Sequence, residues 1–170
     1  MKRRTCLAGA ASASLAGTAC RRQQSSFRTL TDAEAQTLRT LCGQIVPSDD
    51  YPGADEAGAV QFIDIQLTRH YKPHREKYRQ GLEKADALAA GRFGRPAAQL
   101  SREDQARFAQ EFERTAPDFF TMLVAHTMQS FYGSPRHGGN HDAVSWRMVG
   151  VPPVPVRGRD QYDFTKGGRS

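Results

Sequence analysis

The chain is short of cysteine, of long apolar runs and of recognisable catalytic signatures, and each shortage removes a class of function. Its 170 residues include three cysteines, Cys6, Cys20 and Cys42, with no C-x-x-C and no C-x-x-C-H. That excludes a paired-thiol redox centre and a covalently attached c-type haem on this chain. Mean hydropathy is -0.64, and no run of about 18 apolar residues occurs, so membrane attachment would have to be terminal or lipidic. The G-x-S-x-G nucleophile elbow, the H-E-x-x-H zinc motif and the G-x-G-x-x-G phosphate turn are all missing. Sustained apolar/polar alternation and internal repeats are absent too, which removes the signatures of β-sheet and solenoid folds.

A formal charge of +6 suggests nucleic acid at first sight. Five basic residues, Lys2, Arg3, Arg4, Arg21 and Arg22, fall in residues 1–22, where no acid occurs, and without them the chain carries 19 basic against 18 acidic residues. The basic excess therefore belongs mostly to the N-terminus, and the body, at +1, has little to spend on a phosphate backbone.

That N-terminus reads as an export signal, residues 1–20. Lys2-Arg3-Arg4 forms a basic n-region, and Cys6 to Ala19 is a weakly apolar stretch rich in Ala, Gly and Ser. Arg3-Arg4-Thr5-Cys6-Leu7 resembles the twin-arginine signal, with Cys6 where Phe is commonest, which implies export of a folded protein to the periplasm. Gly17-Thr18-Ala19-Cys20 resembles a bacterial lipobox, with Gly17 where a branched apolar residue is usual; cleavage near Ala19 without lipid is the alternative. Cys20 is the candidate lipidation site, and its modification would leave Cys42 as the one free thiol. A polar linker, residues 21–29, follows.

The body, residues 30–153, reads as all-α, a small bundle of about five helices with a Gly/Pro-rich C-terminal loop. Thr31 and Glu34 form a capping box ahead of Leu38, Leu41, Cys42 and Ile45, and Pro47 ends that helix. Cys42 lies on the apolar stripe, as core filler before reactive thiol. Asp55 is expected to cap a second helix with the stripe Ala59, Phe62, Ile63, Leu67 and Tyr71, closed by Pro73. His70 and His74 have metal-ligand spacing, but Pro73 interrupts the helix that geometry needs. Tyr78, Leu82, Ala85 and Leu88 mark a third helix. Ser101 and Asp104 begin a fourth bearing Phe108 and Phe112, and Pro117 opens a fifth with Phe119, Leu123 and His126. Residues 154–170 form a polar tail.

Aromatics and turn formers then concentrate in Phe131-Tyr132-Gly133-Ser134-Pro135-Arg136-His137-Gly138-Gly139-Asn140, followed by Trp146. The Gly-Gly-Asn segment can adopt positive φ, and the aromatics can pack the loop onto the helices. Trp146 is expected to be mainly structural, with Tyr132 and Gly138 to Asn140 as exposed contact points and the whole group, Phe131, Tyr132, Gly138, Gly139, Asn140 and Trp146, as the candidate partner interface. His126, His137 and His141 are the candidate ligands of a three-histidine metal site, although no H-x-x-x-H or H-E-x-x-H pair among them lies on a helix.

Several short pieces stand in order along the body: Leu30-Thr31 with Glu34 and Leu38; Ile45-Val46-Pro47; Pro52-Gly53-Ala54, Ala57-Gly58 and Phe62-Ile63-Asp64; Ser101; Pro117 and Phe119-Phe120; and His126-Thr127, Phe131-Tyr132-Gly133, Pro135, Gly138-Gly139-Asn140, Trp146, Gly150 and Pro152. Their order resembles the subunit 3 family of gluconate 2-dehydrogenase. The resemblance implies a helical accessory subunit that carries the export signal and binds a large FAD-containing oxidoreductase of the glucose-methanol-choline type, often with a cytochrome c subunit. It implies no catalytic residue, cofactor or metal in this chain, and offers no role for the 154–170 tail. The competing class is an independent periplasmic lipoprotein or small metal-binding enzyme that uses His126, His137 and His141.

Overall fold

A computed structural model describes residues 26–151. Arg3, Arg4, Cys20, the 1–20 signal, residues 21–25 of the linker and the 154–170 tail lie outside the described residues. Within them are six α-helices and no strand: α1 (Asp32–Ile45), α2 (Ala59–Leu67), α3 (Arg75–Phe93), α4 (Arg102–Thr115), α5 (Pro117–Tyr132) and α6 (Val144–Met148). The expected all-α bundle is what forms, with α6 as an extra short helix inside the C-terminal loop.

Local chemistry sets most boundaries. At α1, Thr31 Oγ1 accepts from the Glu34 amide and the Glu34 carboxylate accepts from the Thr31 amide, so two otherwise unpaired donors are satisfied. Ser101 caps α4 by accepting from the Asp104 amide, and Pro117 sits in the first turn of α5, where its missing N–H costs nothing. The second helix departs from expectation at both ends. Gly58, not Asp55, is its N-cap, with φ at 78°. Asp55 lies in the preceding turn, where its carboxylate accepts from Arg39 Nε at 2.6 Å. At the other end α2 stops at Leu67, and the chain turns back so that the Tyr71 amide donates to the Gln66 carbonyl. Tyr71 thus leaves the helix and can lay its ring sideways against α5.

Helices α1 to α5 enclose one core. Leu38, Leu41, Ile63, Tyr78, Leu82, Phe108, Phe112 and Leu123 are fully buried in it, each such side chain contributing about 1.5–3 kcal/mol relative to exposure. Phe108 and Phe112 stack on α4 with centroids 5.9 Å apart, and Phe119 meets Phe112 edge-on at the same separation, which locks α4 to α5. A separate small cluster of Ala57, Phe131 and Val144, backed by Val46 and Met148, fastens α6 to the start of α2 and the end of α5.

Candidate functional site: a buried histidine, a strapped N-terminus and a latched loop

The inward face of α5 places His126 at the centre of an aromatic box. Tyr71 lies flat on the imidazole, with centroids 3.7 Å apart and planes 9° from parallel. The Tyr78 hydroxyl is 2.9 Å from His126 Nδ1, and the His74 ring stands 5.7 Å away between centroids. The Tyr71 hydroxyl in turn donates to Gln129 Oε1. Burial and the neighbouring His74 pull the His126 pKa down from 6.5 to about 4, so the ring is neutral at pH 7. Burial, reinforced by Cys42 and Tyr71 nearby, pushes the Tyr78 phenol well above its ordinary value. A protonated phenol beside a neutral imidazole fixes the proton assignment: Tyr78 donates, Nδ1 accepts, and Nε2 carries the hydrogen. Below this box Cys42 Sγ lies 3.4 Å from Thr127 Oγ1, and burial raises the thiol to about 12. Cys42 is therefore the inert core filler that its position on the stripe suggests.

A second built feature joins the N-terminal segment to the bundle. Asp64 on α2 is buried, and its carboxylate accepts four hydrogen bonds: Arg28 N–H at 2.7 Å, Thr29 N–H and Thr29 Oγ1 at 2.8 Å each, and Leu30 N–H at 3.1 Å. A buried carboxylate is tolerable only with such partners. Residues 28–30 are consequently strapped to α2 rather than merely linked to α1.

The C-terminal loop is latched from inside. Asn140 is fully buried, its Nδ2 donating to the Gly133 carbonyl at 2.9 Å and its Oδ1 accepting from the Ser145 amide at 3.0 Å. The His141 amide donates to the Ala57 carbonyl at 3.1 Å, and its ring covers Gly58 so closely that a Cβ there would meet the imidazole at 2.2 Å. Trp146, half-buried, donates from Nε1 to the Tyr132 carbonyl at 2.9 Å. Three non-glycine residues hold positive φ here: Asn140 at 45°, Asp142 at 54° and Ala143 at 54°. Such angles cost about 1–3 kcal/mol each and persist only where surrounding contacts impose them.

These placements revise the expected contact group. Tyr132 is exposed, as expected, and Trp146 is the structural latch, but Phe131, Gly139 and Asn140 are buried and present no side chain to a partner. The reason for Asn140 is its pair of internal hydrogen bonds. For Gly139 it is close approach rather than positive φ, since a Cβ would lie 2.6 Å from both Ser130 O and Ser130 Oγ. Gly138 does take positive φ, at 93°. The histidines do not assemble either: His126 is boxed inside the bundle while His137 and His141 are exposed on the loop. Among the described residues no group of three or more His, Cys, Asp or Glu side chains is placed to hold a metal ion. A wide groove of about 610 Å³ between α1 and α4 is lined by groups already paired with one another, Arg39 with Asp55 and Ser48 with Glu56.

Sequence reading passed over Asp64, Tyr71 and Tyr78 as functional positions. Asp64 had a signal, a lone acid at the centre of the apolar α2 face. Tyr71 had none, because its role depends on the chain leaving the helix four residues earlier.

Fold and geometry together define a small helical protein with a strapped N-terminal lead, a latched C-terminal loop and a hydrogen-bonded interior. A family model described as gluconate 2-dehydrogenase subunit 3 matches residues 32–153, and the chain belongs to that family. No curated protein and no solved structure matches it. It is thus of the kind of a subunit of a dehydrogenase complex.

Proposed function

We propose that this chain is a non-catalytic accessory subunit of a periplasmic FAD-dependent dehydrogenase of the glucose-methanol-choline type, which it carries through export and then stabilises. The observation that carries the reading is the match to a dehydrogenase subunit family across residues 32–153. FAD, and any c-type haem, belong to the partner subunits. Arg3 and Arg4 supply the twin-arginine signal and Cys20 the candidate lipid attachment.

The physical logic concerns folding order. A flavoprotein that takes up FAD in the cytoplasm must cross the membrane folded, so a signal on a tightly bound small partner can serve both chains. The Asp64 strap suits that task, because it ties the segment leading back to the signal onto α2. Among the described residues no helix is long and apolar enough to cross a membrane, so anchoring would fall to Cys20 or to the complex. Replacing Arg3 and Arg4 together by Lys tests the reading. Both this chain and its flavoprotein should remain in the cytoplasm, whereas unchanged periplasmic dehydrogenase activity would overturn it.

A further inference from the structure

We propose that the large flavoprotein docks on the outward face of α5 and on the segment after α6, a surface centred on Met128, Tyr132 and Val149. This deepens the accessory-subunit reading and rests on it.

Charge distribution makes the case. From Phe119 to Pro135 the sequence contains no Asp, Glu, Lys or Arg. Yet α5 is not an interior helix. Its inward stripe is Leu123, His126, Thr127, Ser130 and Phe131, and Thr121, Ala125, Met128, Gln129 and Tyr132 are exposed. Their spacing puts those five on one outer face. A solvated helix face ordinarily carries charge, and this one carries none over three turns.

Large exposed apolar side chains gather at the same place. Five occur among the described residues, and four of them are Met128 at 38%, Tyr132 at 47%, Val149 at 57% and Val151 at 45% exposure. They are joined through Trp146: its indole bonds the Tyr132 carbonyl, and its own carbonyl accepts from the Val151 amide at 2.8 Å. The last turn of α5 and the chain beyond α6 are thereby one continuous surface. The strained turn at Asn140, Asp142 and Ala143 is what swings α6 into that position. Contiguous exposed apolar surface with Tyr and Met at its centre is the composition of a protein interface.

The occupant follows from two further facts. Membership of a subunit family requires a heterologous partner surface somewhere on the chain. The chain's own tail beyond Val156 fits poorly, because Arg157, Arg159, Asp160, Asp163, Lys166 and Arg169 crowd it, and desolvating charges against the uncharged face of α5 is unfavourable.

The test uses the tagged full chain purified with its flavoprotein, the latter identified by bound FAD and by mass spectrometry. Met128→Glu and Tyr132→Glu should each weaken the complex at least tenfold, and together abolish co-purification. Arg107→Glu on α4 and Glu83→Lys on α3 should leave it intact. Circular dichroism and thermal melting of each isolated variant establish that the bundle still folds, and Val149→Asp, outside any regular helix, provides an independent probe of the same face. Wild-type complex with unimpaired binding by all three variants would overturn the docking face while leaving the accessory reading standing. A wild-type chain that binds no flavoprotein would overturn both. Self-association abolished by the same variants, or a face that becomes reactive only after residues 154–170 are deleted, would reassign the surface to a second copy or to the tail and so overturn the proposal.

Discussion

On α3 and α4 the outward positions are filled with charge of both signs: Arg79 pairs with Glu76 at 2.6 Å and with Glu83 at 3.3 Å, Arg107 with Glu103 at 2.5 Å, and Arg92 crosses from α3 to Glu111 on α4 at 2.6 Å. On α5 the outward positions are Thr121, Ala125, Met128, Gln129 and Tyr132. All three helices bury an inward stripe in the bundle, that of α5 including the polar His126, Thr127 and Ser130, so an unusually apolar inner face does not account for the difference. What differs is the medium each outer face is made for: water on the α3/α4 flank, protein on the α5 flank. Internal structure follows the same division. The α5 flank carries the boxed His126, the buried Asn140 and the positive-φ turn, while the exposed ion pairs of the other flank are individually weak.

The most damaging single change should fall in the latched loop. Gly139→Val would push a branched side chain into the Ser130 backbone, 2.6 Å from the position of its Cβ. A backbone clash of that kind costs about 3 kcal/mol or more, read as a large fall in melting temperature with loss of flavoprotein binding. A normal melting temperature would show that the loop is not latched.

Next in size is Tyr78→Phe. It removes the donor to His126 Nδ1 and leaves a buried acceptor unpaired, for a loss of about 1–3 kcal/mol in a denaturant titration. The same ring gives a pH signature. His126 has its folded pKa depressed from 6.5 to about 4, so its contribution is complete above pH 6.5 and is lost as pH falls through 4. Discounted for partial screening by solvent, that contribution is about 1–2 kcal/mol. Stability should thus decline between pH 6.5 and 4, and His126→Gln should flatten that part of the profile. The smallest effect belongs to the charged flank: Arg107→Ala should change stability by less than about 0.5 kcal/mol, because the pair with Glu103 is exposed on both sides.

Much of this contrast was legible before the fold was known. The capping box at Thr31, the Ser101 cap, Pro117 at a helix start and the five apolar stripes are local signals, and local hydrogen bonding decides them. The start of α2 was misplaced because Asp55 has the right chemistry for a cap, while the choice of Gly58 depends on His141, far along the chain, covering it. Asn140 and Gly139 read as an exposed turn for the same reason: a Gly-Gly-Asn segment is locally indistinguishable from one whose amide is pulled inside by the Gly133 carbonyl and the Ser145 amide. The uncharged run on α5 was plain in the sequence, but it became meaningful only when half of that helix proved to be exposed.

Surface footprinting of the assembled complex tests the contrast most directly. Hydroxyl-radical oxidation of Met128 and Tyr132, with carboxyl labelling of Glu83 and Glu103, would be compared in the free chain and in the flavoprotein complex. Met128 and Tyr132 should be strongly protected, and labelling of Glu83 and Glu103 should be unchanged. Protection of the two glutamates with Met128 and Tyr132 still reactive would contradict the contrast.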